Sequence, residues 1–222
     1  RFMSMMELFA YADTLMALAR ENPKDAIVGA LLRAELEGEA LTDDEFRYFL
    51  MLLIVAGNET TRTATSHGMR LFIEHPDQFQ HLIDNPDLVA DAVEEILRFN
   101  APVMTMRRTA MEDTELGGQM IKTGDKVVLF YQAANHDELV FSDPENFDIT
   151  RQQREEVRNA HRAFGVGEHF CLGSHLARLE LKVIFEGLTK HIRNPQHTGE
   201  IEWQKSHTVN GMKTMPIRFD VA

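Results

Sequence analysis

Residues 163–173 read Ala163–Phe164–Gly165–Val166–Gly167–Glu168–His169–Phe170–Cys171–Leu172–Gly173, and they hold the only cysteine of the chain. Three glycines and a histidine surround that sulfur. Leu172, Leu176, Leu179 and Val183 then repeat at helical spacing, so a helix is expected to begin at or just past Cys171. A helix start presents unpaired N–H groups and the positive end of the macrodipole, both of which favour an anion. A thiol placed there is biased toward the thiolate, the form that binds metal or attacks carbon. Gly165 and Gly167 let the backbone turn sharply, and Gly173 lets a large group come close.

Three readings of the sulfur follow. It is a small buried hydrophobe, the usual fate of a lone cysteine, although flexible glycine backbone is unusual around such a residue. It is a nucleophile assisted by His169. Or it is a thiolate ligand to haem iron, with space left for a flat macrocycle.

Outside the loop, the 222 residues are 44% hydrophobic and 26% charged, which is ordinary globular composition. A formal net charge of −12 argues against nucleic-acid or anionic-membrane partners. The longest unbroken apolar run, Phe49 to Ala56, is too short to span a bilayer. One cysteine excludes an intrachain disulfide, and no signal peptide is legible after Arg1, so a reducing, cytoplasmic setting is expected.

The first half reads as successive helices: Met6 to Arg20, Asp25 to Leu36, and a long one from Thr42 to about Glu74. Thr42 with Glu45 is a capping box, and the run after it makes roughly 48 Å of helix at about 1.5 Å per residue. His75–Pro76 and Asn85–Pro86 open two more helices, the second running through Glu94, Glu95 and Arg98. Short strands are expected at Thr105–Ala110, Thr114–Leu116 and Lys126–Phe130, with 131–163 mostly irregular and short strands in the tail from Ile201 to Phe219. His67, His75, His81 and His136 show no ligand spacing and read as structural or solvated.

The pattern Phe164–Gly165–x–Gly167–x–His169–x–Cys171–x–Gly173 resembles, without a gap, the cysteine loop of the cytochrome P-450 family. The resemblance implies that Cys171 is the proximal iron ligand, that His169 contacts a haem propionate, and that Phe164, Gly165, Leu172 and Gly173 border the macrocycle. It extends to Ala56–Gly57–Asn58–Glu59–Thr60 inside the long helix. There Ala56 and Gly57 would lie against the haem, and Glu59 and Thr60 would form the acid–alcohol pair of the oxygen side. A Glu59–Arg62 surface pair is the plainer reading of the same residues, and Gly57 costs the helix about 1 kcal/mol relative to Ala. Glu95–x–x–Arg98 with Arg151 resembles the family's buried ionic triad, whose role is structural. Pro102 to Ala110 resembles the segment along the haem edge, which gives Arg108 a propionate role. Its neighbour Arg107 would point to the opposite face of the strand. Val103, Met104, Met106 and Val209 would line an apolar substrate pocket.

The implied fold is mainly α with small β-sheets: one cytochrome P-450 domain over 1–222, incomplete at its N-terminus. It would contain the long oxygen-side helix, the Glu-x-x-Arg helix and the cysteine loop. The implied activity is a haem-thiolate monooxygenase carrying haem b (iron protoporphyrin IX), which uses O2 to hydroxylate a sterol side chain, a terpene or an alkyl chain. A haem-thiolate sensor without oxygen activation is the alternative. Arg151, Arg154, Arg158 and Arg162 lie against Glu155 and Glu156 in a net-positive stretch ahead of the loop, a candidate docking patch for an acidic, ferredoxin-type electron donor.

Overall fold

The computed structural model describes residues 2–22, 28–36, 38–154, 157 and 160–222. Helix α1 (Phe2–Glu21) begins four residues before the apolar period does, and α2 (Val28–Leu32) is short. The expected helix over 25–36 is therefore corrected. Residues 25–27 lie outside the described residues, and after α2 the chain turns into a hairpin of β1 (Glu35–Leu36) and β2 (Glu39–Ala40). Gly38 supplies the positive φ of 87° at that turn, which a continuing helix does not use.

Helix α3 (Asp43–Glu74) is the 32-residue element that the capping box announces. The Glu45 N–H donates to the Thr42 hydroxyl at 3.2 Å, and the Thr42 N–H donates to Glu45 Oε2 at 2.8 Å. The chain divides into two compact units inside this helix, Arg1–Asn58 and Glu59–Ala222. In the first unit Ala12, Met16, Val28, Phe46 and Leu50 form the core. Arg20–Asp43 and Arg47–Asp13 ion pairs at 2.6 Å flank it.

The second unit continues with α4 (Pro76–Asp84), a 3₁₀ turn at Pro86–Leu88, and α5 (Val89–Phe99). Strand β3 (Thr105–Thr109) pairs antiparallel with β6 (Lys126–Phe130), and between them β4 (Thr114–Leu116) and β5 (Gln119–Ile121) form a hairpin. Both turn residues, Gly117 and Gly118, sit at positive φ, as a two-residue hairpin turn requires. A short helix α6 (Tyr131–Asn135) occupies the start of the region expected to be irregular. Helix α7 (Ser174–His191) follows the cysteine loop and leads at once into β7 (Ile192–His197). The tail adds β8 (Glu202–Trp203), β9 (Met212–Thr214) and β10 (Ile217–Val221). β8 pairs with β9 and β10 with β7, all antiparallel. Strand β7 hides in the sequence because Pro195 interrupts it; a two-stranded sheet tolerates proline since each strand has a free edge.

The core of this unit packs α3, α4, α5 and α7 around Leu71, Phe72, Phe79, Ile96, Leu181 and Phe185. At Gly68 the packing leaves no room for a side chain: an added Cβ would stand 2.3 Å from Phe185 Cζ and 2.8 Å from Ile96 Cδ1. Among the described residues no helix is long and apolar enough to cross a membrane.

Candidate functional site

The cysteine loop turns on Gly165 (φ 74°) and Gly167 (φ 76°), conformations that a side chain would strain. Residues Gly167–His169 form one 3₁₀ turn, closed by the Phe170 N–H donating to the Gly167 carbonyl at 3.0 Å. The Cys171 N–H then donates to the Phe164 carbonyl at 3.0 Å, and the Ser174 N–H donates to the Cys171 carbonyl at 3.2 Å. Helix α7 therefore starts three residues past the cysteine, with Gly173 as its N-cap. Cys171 is exposed, which removes the reading of a buried small hydrophobe. A Cβ on Gly173 would lie 4.0 Å from its sulfur. Val166, His169, Phe170 and Leu172 are exposed around it, while Phe164 and Gly165 are half-buried.

Behind the loop, Glu95, Arg98 and Arg151 come together with almost no solvent exposure. Arg98 reaches the carboxylate twice, Nε to Oε2 and Nη2 to Oε1, both at 2.8 Å. Arg151 Nε donates to Oε1 at 3.1 Å. The remaining guanidinium N–H groups donate to the carbonyls of Ser142, Asp143, Pro144, Asn146 and Asn135. Burial of three charges is tolerable only with this degree of satisfaction.

A second ionic cluster was not anticipated. The preceding residue, Glu94, accepts from His161 Nε2 at 2.8 Å and from Arg178 Nε at 2.6 Å and Nη2 at 2.9 Å. Burial pushes the Glu94 carboxyl up, but the hydrogen bonds from His161 and Arg178 outweigh it and hold it at about 2. The signal was the adjacent pair Glu94–Glu95: neighbours on an α-helix point about 100° apart, so two carboxylates on one buried stretch need two sets of partners.

On α3, Glu59 and Thr60 are half-buried and Ala56 and Gly57 exposed. Nothing lies within 4 Å of where a Gly57 side chain would stand. The surface pair expected of Glu59 is present, with Arg62 Nη2 donating to Oε2 at 2.7 Å. Gln204, a residue the sequence did not single out, donates to Glu59 Oε1 at 2.7 Å. Hydrogen bonding from Arg62 lowers the Glu59 carboxyl below its ordinary value against a burial cost, and Gln204 adds to it.

The tail connects these elements. His67 of α3 meets the Asn210 carbonyl at 2.6 Å, and the Asn210 N–H donates to the Pro102 carbonyl. Val103 and Val209 form an antiparallel bridge, and the Met104 N–H donates to the Thr208 carbonyl at 2.8 Å. The Tyr131 N–H in turn donates to the Met104 carbonyl at 3.0 Å, and its ring stands beside Gly165 of the loop. Val103, Met104 and Val209 are half-buried and Met106 is exposed. Arg108, opposite Val127 in the β3–β6 ladder, is exposed, and its Nη1 donates to the Arg107 carbonyl.

Of the basic stretch, Arg154 is paired with Asp148 at 2.7 Å and Arg162 is exposed. Arg158, Glu155 and Glu156 lie outside the described residues.

The residues present fit a flat, iron-bearing macrocycle. A single exposed thiol stands on a glycine-turned loop, and exposed Leu172 and Leu176 beside it offer apolar cover. Arg108 and His169 are both exposed. Among the described residues no group of three or more His, Cys, Asp or Glu is placed to hold a metal ion.

Comparisons with known proteins bear on that chemistry. The sequence is 42% identical over 219 residues to a steroid C26-monooxygenase of Rhodococcus jostii, covering 98% of this chain and 45% of that protein. It is 40% identical to a linalool 8-monooxygenase of Pseudomonas putida, covering 95% of this chain and 51% of the relative. The chain thus spans about half the length of these curated relatives. The fold superposes on the crystal structure of CYP109E1 from Bacillus megaterium in complex with corticosterone with a TM-score of 0.90 at 36% identity, covering 98% of this chain and 58% of that one. The sequence pattern described as "Cytochrome P450" matches residues 3–202, and with the fold and these relatives it establishes that the chain belongs to the cytochrome P450 family.

Proposed function

We propose that the protein is a haem-thiolate monooxygenase that places one oxygen atom of O2 on an apolar organic substrate. The observation that carries this reading is the exposed Cys171, held by its backbone bond to Phe164 at the N-terminal end of α7. Haem b bound at this thiolate supplies the oxygen activation and oxygen-atom transfer that no side chain performs. The chain's own groups bind and orient. Cys171 ligates through its sulfur, stabilised by the helix start. Arg108 and His169 neutralise the propionates. Ala56 and Gly57 keep the α3 surface low, and Phe164, Gly165, Leu172 and Gly173 border the ring.

Proton movement falls to Glu59 and Thr60. The Glu59 carboxylate, ionised beside Arg62, exchanges protons with solvent, and the Thr60 hydroxyl holds a proton on the oxygen side. Val103, Met104, Met106 and Val209 supply apolar contacts. The relatives' names, a steroid and a linalool monooxygenase, support a sterol side chain or terpenoid carbon as the hydroxylated position. Electrons arrive from a ferredoxin-type donor at Arg154, Arg158 and Arg162. A thiol kept reduced for ligation belongs in a reducing compartment, here the cytoplasm.

The test is the absorption spectrum of the reduced, carbon monoxide-treated protein. A thiolate-type Soret band that disappears in Cys171→Ser supports the reading. A folded protein that takes up no haem overturns it.

A further inference from the structure

Two carboxylates sit side by side on α5, and only Glu95 belongs to the buried triad. Glu94 faces the cysteine loop instead, and it ties both flanks of that loop to one helix. His161, two residues before the loop begins, donates from Nε2 to Glu94 Oε2 at 2.8 Å. Arg178, in the second turn of α7, grips both carboxylate oxygens at 2.6 and 2.9 Å. The His161 ring is set by its other nitrogen: the Ala163 N–H donates to Nδ1 at 3.2 Å, so Nε2 carries the proton given to Glu94.

The cluster reaches the Cys171 backbone in two contacts. The Arg178 guanidinium lies over the Phe164 ring, 4.5 Å from its centroid. The Phe164 carbonyl accepts from the Cys171 N–H at 3.0 Å. A bidentate arginine fork fixes orientation as well as distance, which a point charge does not.

We propose that Glu94, His161 and Arg178 are positioning residues that clamp Phe164 and thereby hold Cys171 in the geometry for iron ligation. The inference rests on the haem-thiolate reading above. It separates the roles of the two neighbouring acids: Glu95 anchors the fold behind the loop, and Glu94 sets the loop itself. The lowered carboxyl of Glu94 supports it, because the carboxylate stays charged across the working pH range.

The experiment compares haem-loaded parent protein with Glu94→Gln and Arg178→Lys, reading the ferrous–carbon monoxide spectrum, the iron reduction potential and the melting temperature. Glu94→Gln keeps one accepting oxygen for His161 but sets an amide NH2 against the Arg178 Nε–H; Arg178→Lys keeps the positive charge but loses the fork and the stack on Phe164. Both are expected to convert part of the thiolate-type band to the neutral-thiol type and to raise the potential, with Arg178→Lys carrying the test if Glu94→Gln does not fold. Gly68→Ala, a packing defect in α3, is the control: it lowers the melting temperature and leaves the spectrum of the folded fraction unchanged. If both clamp variants keep the parent spectrum and potential, whatever their melting temperature, the clamp is merely structural and the proposal is overturned. A parent protein without the thiolate-type band overturns the haem-thiolate reading instead.

Discussion

Glu95 and Arg151, 56 positions apart in sequence, meet at 3.1 Å with both side chains sealed from solvent. Arg98 shares the same carboxylate, so removing Glu95 leaves two buried guanidinium groups without their anion. Glu95→Gln is therefore expected to destabilise the protein by about 3–5 kcal/mol, the cost of breaking a buried pair from one side. Urea unfolding of parent and variant checks this. A loss below about 1 kcal/mol, the range of surface pairs, would show that the buried arginines find other partners.

Glu59 is held by Arg62 and by Gln204 from the tail, at 2.7 Å each. If its carboxylate relays protons, Glu59→Gln should slow turnover by on the order of 10²-fold, the usual worth of a positioned acid–base group. Thr60→Ala should instead let oxygen consumption continue while product per O2 falls. Parallel oxygen-electrode and product assays distinguish the two, and unchanged coupling in Thr60→Ala would remove the hydroxyl from the proton path.

The cysteine loop, the long helix with its capping box and the strands near Thr105 and Lys126 were legible because each rests on local chemistry: glycines that turn the chain, a cap, turn residues between short runs. The meeting of Glu95, Arg98 and Arg151 was legible only through resemblance, since nothing in spacing brings position 151 to position 95. Glu94 with His161 and Arg178, and Gln204 with Glu59, were not legible. Those partners lie 67, 84 and 145 positions apart, and no local period marks a side chain whose partner is chosen by tertiary packing. Helix α6 was missed for a related reason. Five residues are too few to show a helical period, and its Asn135 is buried by tertiary contacts, donating nothing to a pattern.

His67 gives stability a pH dependence. Burial first, and the positive charge of Arg70 second, lower it from 6.5 to about 4, with the Asn210 carbonyl and Glu74 opposing. The unfolded chain thus binds a proton that the folded one refuses between those values. Stability is full above 6.5 and falls as pH drops toward 4. The loss at the acid end is up to about 3 kcal/mol. His67→Gln keeps a donor for the Asn210 carbonyl without titrating, so its unfolding free energy should be flatter across this window. Urea titrations at a series of pH values measure both slopes, and equal slopes would assign the dependence to other groups.

Gly68 has no room for a side chain. A methyl group there would have to displace the Phe185 ring at 2.3 Å and Ile96 Cδ1 at 2.8 Å, both in a fully buried core. Alanine is the better helix former by about 1 kcal/mol, so propensity alone predicts that Gly68→Ala stabilises α3. Overpacking opposes it, at about 1–3 kcal/mol or more when the neighbour is an aromatic ring with nowhere to move. The contact is deep enough that the second effect should win, and Gly68→Ala is expected to lower the melting temperature. Phe185→Leu alone opens a cavity and also destabilises. The double variant separates the effects: if the clash is the cause, Gly68→Ala costs less in the Phe185→Leu background than in the parent. Additive losses in the thermal melts would mean that α3 shifts away from α7 as a body, and that the close approach at Gly68 is not what sets the spacing of the two helices.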